Sequence, residues 1–151
     1  MENNPEIRSA VTDEYEWSAQ LMARTDPWLT YNLSIEWCRN VLKWPGSSLF
    51  VAAASEPVGF VLVHPKGFLG SPYIAILGVA EHHRGRGIGC RMLTFAEQMT
   101  TNSRFVYLCG STFNIKARRL YERQGYSTIT EIPDLFADGY CEVLMRKCIK
   151  A

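Results

Sequence analysis

The residues best suited to chemistry lie in Val79-Ala80-Glu81-His82-His83-Arg84-Gly85-Arg86-Gly87-Ile88-Gly89. An apolar run enters this segment. A helical pattern leaves it, with Ile88, Met92, Phe95, Ala96 and Met99 on one face. The first turn of a helix has backbone N–H groups without partners, and its dipole favours an anion. Gly85, Gly87 and Gly89 carry no Cβ to hold a phosphate away from those groups. Arg84 and Arg86 add positive charge, and Arg91 follows within the helix. The chemistry implied is a pyrophosphate cradle. The same glycines would also serve a tight strand-to-helix turn that binds nothing. A Walker A loop ends in Gly-Lys-Ser/Thr, whereas Gly89 here precedes Cys90-Arg91. A dinucleotide turn is spaced G-x-G-x-x-G, whereas these glycines are spaced G-x-G-x-G.

A second constellation follows after one helix and one strand: Asn114-x-x-Ala117-x-x-x-Tyr121-x-x-x-Gly125-Tyr126. With the R-x-x-G-x-G of Arg84, Gly87 and Gly89, it resembles the paired motifs of the GNAT superfamily of N-acetyltransferases. The resemblance covers about Tyr73 to Tyr126. It implies acetyl-CoA as acyl donor and direct transfer to a primary amine of a small molecule, peptide or protein. It also implies roles for particular residues. Backbone groups around Leu77, Gly78 and Val79 would hold the thioester carbonyl and the pantetheine arm. Arg84, Gly85, Arg86, Gly87, Ile88 and Gly89 would hold the pyrophosphate. Asn114 would contact the pantetheine or the phosphate side, and Ala117 would also border the cofactor. Tyr121 would stand near the thioester sulfur. One or two of Lys116, Arg118, Arg119 and Arg123 could reach the 3′-phosphate.

Such a transfer needs a neutral amine, stabilisation of a developing oxyanion and a proton for the departing thiolate. Backbone N–H groups at a bulge near Gly78 could supply the second need. Tyr121 could supply the third, since a phenol of pKa about 10 is protonated at neutral pH. The base is less legible. Tyr73-Ile74-Ala75-Ile76-Leu77 holds no carboxylate, and His64, Glu36, Asp134 and Glu142 all remain candidates. That absence keeps a second reading open, a non-catalytic acyl-CoA-binding or sensing module. For the acceptor, Trp28 in Asp26-Pro27-Trp28 is the candidate pocket wall, while Trp17 and Trp37 read as core. Ile132 to Phe136 could form a flap.

These residues need a scaffold. The pattern predicts a strand at Glu6 to Val11. A helix is capped by Asp13 with Glu16, and a second is capped by Ser34. A hairpin follows over Leu49 to Ala54 and Val58 to Val63, then a loop from Pro65 to Pro72 and a strand from Tyr73 to Val79. Beyond the glycine turn come a helix, a strand at Phe105 to Cys109, and a helix at Asn114 to Gln124. Two last strands lie near Ser127 to Thr130 and Tyr140 to Arg146. The expected fold is α/β (α+β): a mixed, mostly antiparallel sheet of six to seven strands flanked by four helices, in a single domain spanning 1–151.

Composition narrows the classes further. With 151 residues, 47% hydrophobic, the chain can bury a core without disulfides. Lys+Arg number 16 against 15 Asp+Glu, which argues against a nucleic-acid footprint. No apolar run reaches membrane-spanning length, and Met-Glu-Asn-Asn-Pro-Glu lacks a leader pattern. The five cysteines are widely spaced without a C-x-x-C pair, which suits free thiols in the cytoplasm and no metal. An edge strand near the C-terminus could pair two chains as a homodimer. The cradle is tested by thermal-shift titration. A ligand that binds only the native state raises its stability with concentration. A saturable shift with acetyl-CoA and CoA, and none with ATP, is expected.

Overall fold

Strand β4 (Ser71–Val79) buries every second residue, the period that an extended segment shows when one face is covered. It lies at the centre of a seven-stranded sheet in the computed structural model, which describes residues 4–100 and 102–150. Across the sheet the order is β1 (Glu6–Ser9), β2 (Ser48–Ala53), β3 (Pro57–Phe68), β4, β5 (Phe105–Ser111), β7 (Cys141–Cys148) and β6 (Ser127–Pro133). Every neighbouring pair is antiparallel except β4 and β5. Four helices, α1 (Thr12–Ala23), α2 (Ile35–Leu42), α3 (Ile88–Gln98) and α4 (Ile115–Arg123), complete the fold. This is the expected mixed, mostly antiparallel architecture. Residues 1–3, part of the segment read as lacking a leader, lie outside the described residues.

Alternation along β3 divides the core into two layers. Val61 and Val63 join Ile88, Met92, Leu93 and Ala96 of α3 on one face. Phe60 and Leu62 join Ala19 and Met22 of α1 and Cys38 and Leu42 of α2 on the other. The helices thus cover both faces, and the sheet between them carries the site.

Several local expectations shift. Helix α1 begins earlier than predicted, with Val11 at its N-cap. Glu14, rather than Glu16, closes the start: its Oε1 accepts the Val11 N–H at 2.9 Å and pairs with Arg8 at 2.7 Å. Ser34 caps α2 as expected, its Oγ accepting the Trp37 N–H at 3.0 Å. Met99 lies off the buried stripe of α3, 56% exposed. The segment Pro65 to Pro72 is not a loop. Strand β3 continues to Phe68, the chain reverses over Leu69-Gly70, and β4 begins at Ser71. The prolines suggested a break because proline cannot donate to a ladder. The register shifts between His64 and Phe68, so no regular ladder donor is needed at Pro65.

Gly78 is the second correction. It pairs in register with Phe60, and the register shift on this part of β4 falls at Ala75, between Ile74 and Ile76. Gly78 is glycine because the Phe60 ring lies over it: a Cβ there would sit 2.6 Å from Phe60 Cε1. Phe60 is fully buried. Gly78→Ala should therefore destabilise the fold by about 1–3 kcal/mol, the usual cost of overpacking a core. Urea denaturation checks this. An unchanged midpoint would show that the ring yields freely.

Candidate functional site

The parallel strands β4 and β5 are paired only at Tyr73↔Tyr107 and Ile74↔Leu108. Beyond Ile74 they separate, and β4 no longer has a neighbour on that side. Which β4 groups face the gap follows from antiparallel alternation. Ala80 donates its N–H to Val58 O at 2.8 Å, so the pairs Val58↔Ala80 and Phe60↔Gly78 are bonded across β3 and β4. Val79 and Leu77 occupy the intervening pairs, and their N–H and C=O groups point away from β3 into the gap. Gly78 directs its backbone groups towards β3. Of the three positions expected to offer backbone contacts, Leu77 and Val79 face the opening and Gly78 does not.

At one end of the gap lies the glycine turn. Gly85 and Gly87 take positive φ of 75° and 80°, a conformation that L side chains rarely adopt. Nothing lies within 4 Å of where a Cβ would stand on either. Gly89 has a different reason to be glycine, because Leu120 Cδ2 lies 3.2 Å from its Cβ position and brings α4 against α3. The first intrahelical bond of α3 runs from Arg91 N–H to Gly87 O, which places the N–H groups of Ile88, Gly89 and Cys90 ahead of the ladder. Among the described residues, no side chain caps this end. Arg84 Nε donates to Val79 O at 3.0 Å and ties the turn to the end of β4.

At the other end the gap opens into a cavity of about 450 Å³. Its walls include Ile74 to Leu77 of β4, Leu108 to Ser111 of β5, and Asn114, Ala117 and Tyr121 from α4 and its N-cap. Asn114 makes no side-chain capping bond, and its side chain borders the cavity. Tyr121 packs over Gly110, where a Cβ would sit 3.5 Å from Tyr121 Cε2. Burial, reinforced by the charges of Glu142 and Cys109, pushes its hydroxyl up to about 12.

Glu142 enters the cavity from β7 and is 3% exposed. The Tyr31 hydroxyl donates to its Oε1, as does the Ser111 hydroxyl at 2.7 Å. Tyr31 comes from the segment between α1 and α2, and Ser111 from the end of β5. Burial raises the Glu142 pKa, and the hydrogen bonds from Tyr31 and Ser111 oppose that rise without cancelling it. The other base candidates have different tasks. Both His64 ring nitrogens are engaged, Nε2 with Pro45 O at 3.0 Å and Nδ1 with the Lys66 N–H at 3.1 Å. Glu36 pairs with Arg39 on the surface, and Asp134 Oδ1 accepts the Gly139 N–H in a turn. His82 and His83 stand in a short 3₁₀ turn at Glu81–His83 outside the cavity.

Trp28 lines the cavity. Trp17 is core and packs edge-on to Phe60 at 6.4 Å. Trp37 also lines the cavity, together with Trp44 and Phe136 of the expected flap. Tyr31, Ser111 and Tyr73 complete it, and sequence reasoning did not single them out. Ser111 lies beyond the strand read at Phe105 to Cys109, and nothing in the local pattern marks Tyr31. On α4, Arg118 turns inward to Thr112 O at 3.3 Å, while Lys116 and Arg119 remain exposed. Among the described residues, no group of three or more His, Cys, Asp or Glu is placed to hold a metal ion, and no helix is long and apolar enough to cross a membrane.

Residues 6–126 match the acetyltransferase (GNAT) family. The chain belongs to this family. An uncharacterized N-acetyltransferase from Methanocaldococcus jannaschii is 33% identical over 81 residues, 52% of each chain. The match therefore spans about half the length of that curated relative. Among solved structures, Ard1 from Thermoplasma volcanium superposes with a TM-score of 0.80 at 21% identity, covering 99% of this chain and all of that one, 100%. An aminoglycoside 6′-N-acetyltransferase complexed with coenzyme A gives 0.77 at 17% identity, covering 97% and 98%. At such identities the superpositions establish the GNAT fold.

The raised Glu142 pKa has a consequence for stability. The folded protein holds this proton more tightly than the unfolded chain does. The associated stability is fully present below the unfolded carboxylate pKa, about 4.3, and is lost as pH rises through the folded value. Glu142→Gln keeps an acceptor oxygen for both hydroxyls but cannot ionise. It should lose less stability than the wild type as pH rises from that point to neutrality. Urea melts at a series of pH values read this, and parallel stability curves would contradict it.

Proposed function

We propose that the protein is an acetyl-CoA-dependent N-acetyltransferase that works by direct attack of a primary amine in a ternary complex. One observation carries the reading: the gap between β4 and β5 joins an anion-ready glycine turn to a cavity holding a buried carboxylate and a buried phenol. The residues fit the donor. Gly85 and Gly87 leave open space where side chains would stand, and the free N–H groups at the start of α3 suit a pyrophosphate. The Leu77 backbone and the Val79 N–H, directed away from β3, suit an amide-bearing arm laid along β4, as a further strand would be. Asn114 and Ala117 border the same channel.

When bound, acetyl-CoA supplies the acetyl group activated as a thioester. The chain's own residues handle the protons and the charge. Glu142 takes the proton that the amine gives up as its nitrogen bonds to the acetyl carbon. The Leu77 N–H, aimed into the gap, stabilises negative charge on the carbonyl oxygen. Tyr121, protonated at neutral pH, gives its hydroxyl proton to the sulfur as the carbon–sulfur bond breaks. Return of the Glu142 proton to the Tyr121 oxygen closes the balance, one proton moving from nitrogen to sulfur. The sequence argument for a non-catalytic acyl-CoA-binding module was the lack of a carboxylate on β4. Glu142, arriving from β7, answers it. The free cysteines and the choice of donor fit a cytoplasmic enzyme.

Tyr121→Phe should keep the thermal shift with CoA and lose kcat by roughly 10²-fold or more, the usual contribution of a positioned proton donor. Glu142→Gln should lose the rise of kcat/KM with pH that reports ionisation of the base. Steady-state release of CoA thiol measures both. Unchanged kcat in Tyr121→Phe would remove the phenol from the mechanism.

A further inference from the structure

The acceptor end of the cavity has an unusual balance of groups. Trp28, Tyr31, Trp37, Trp44, Tyr73 and Phe136 form its walls. The rings brace one another edge to face, Trp37 against Phe136 at 6.1 Å and Trp44 against Tyr73 at 6.3 Å, so the walls are stiff. Among the described residues, no lysine, arginine or histidine lines the cavity. Two carboxylates do. Asp26 is exposed at the rim and already accepts from the Thr30 N–H at 3.1 Å and the Thr30 hydroxyl at 2.5 Å. Among the described residues, Glu142 is the single buried acidic group within the walls.

On the strength of the acetyltransferase reading, we propose that the acceptor is a small monoamine with a flat apolar body and no carboxylate, an arylalkylamine by chemical class. One amino group meets one buried carboxylate that takes its proton, and the aromatic body meets aromatic walls. An α-amino acid would bring a carboxylate into a site with no cation to receive it, and an unpaired buried charge is costly. A polyamine or aminoglycoside would bring further ammonium groups against rings. A cation over a ring gains less than it costs to take such an ion out of water. A peptide N-terminus would bring amide groups that need partners, while the Tyr31 and Ser111 hydroxyls are committed to Glu142. The β6–β7 turn supplies the remaining wall. It is held by Asp134, whose N–H donates to Tyr140 O at 2.9 Å and whose Oδ1 accepts from Gly139 at 2.7 Å, and it carries Leu135 and Phe136 over the cavity.

The test uses the whole chain and two readouts. Quenching of tryptophan fluorescence by 2-phenylethylamine reads the cavity without donor, because Trp28, Trp37 and Trp44 line it. Release of CoA thiol from acetyl-CoA then compares 2-phenylethylamine with phenylalanine, spermidine, kanamycin and an alanine-initiated tripeptide. Saturable quenching and a kcat/KM at least roughly tenfold above every other amine are expected. Trp37→Leu should raise KM for 2-phenylethylamine about tenfold while kcat and the thermal shift with acetyl-CoA are kept. Acetylation of spermidine, kanamycin or the tripeptide at equal or better kcat/KM would overturn the substrate class and leave the acetyltransferase reading intact. Absence of saturable quenching would overturn it too, whatever the turnover. Absence of any acetyl-CoA shift would instead defeat the acetyltransferase reading, even if the amine quenched.

Discussion

Strands β4 and β5 exchange register at only two residue pairs before they part, and the site depends on that separation. A parallel pair bonded along its whole length would spend the Leu77 and Val79 backbone on β5 and leave no channel. Two features keep the strands apart without unravelling the sheet. On one side, β3 holds β4 through Val79, with register shifts at Ala75 and between His64 and Phe68. On the other, β7 holds β5 through all its residues from Phe105 to Ser111. Each strand is thus secured by its outer neighbour, and the inner edges remain available. Gly78 belongs to the same arrangement, since its missing Cβ admits the Phe60 ring and lets β3 and β4 pack flat beneath the α1–α2 layer.

The buried carboxylate is the second organising interaction. Glu142, Tyr31 and Ser111 come from β7, from the chain between α1 and α2, and from β5, and they meet through hydrogen bonds. A lone carboxylate in an apolar cavity would be costly, and two hydroxyl donors offset part of that cost. The same bonds anchor the segment that carries Trp28 and Tyr31 against the sheet. Fold and site therefore share one polar contact: the groups that make Glu142 tolerable also position the aromatic walls around it. The neighbouring charge also helps keep the Tyr121 phenol protonated, so two groups of opposite proton-transfer role sit in one cavity.

Much of this was legible in the residue order. The glycine turn could be read because backbone constraints are local: Gly85 and Gly87 take left-handed conformations, and the helix after them starts where the apolar period begins. The spacing of Asn114, Ala117 and Tyr121 placed all three on one side of one helix, and all three border the cavity. Ser34 as a cap followed from its own side-chain chemistry. Misreadings arose where a distant residue decided the outcome. The Pro65 to Pro72 stretch looked like a loop because proline breaks ladders, but a register shift absorbed it. Gly78 looked like a bulge because glycine in a strand permits one, but a phenylalanine on the next strand was the reason.

The sequence by itself determined the order and type of the elements, the glycine turn and the helix face bearing Tyr121. All of these depend on neighbours within a few positions, where period, capping and φ preference act. Only the tertiary structure decided which carboxylate enters the cavity, which tryptophans line it and where β4 and β5 part. Tyr31 and Glu142 are 111 positions apart. Their contact depends on how three strands and a loop close in space, and no local pattern records a distance of that kind.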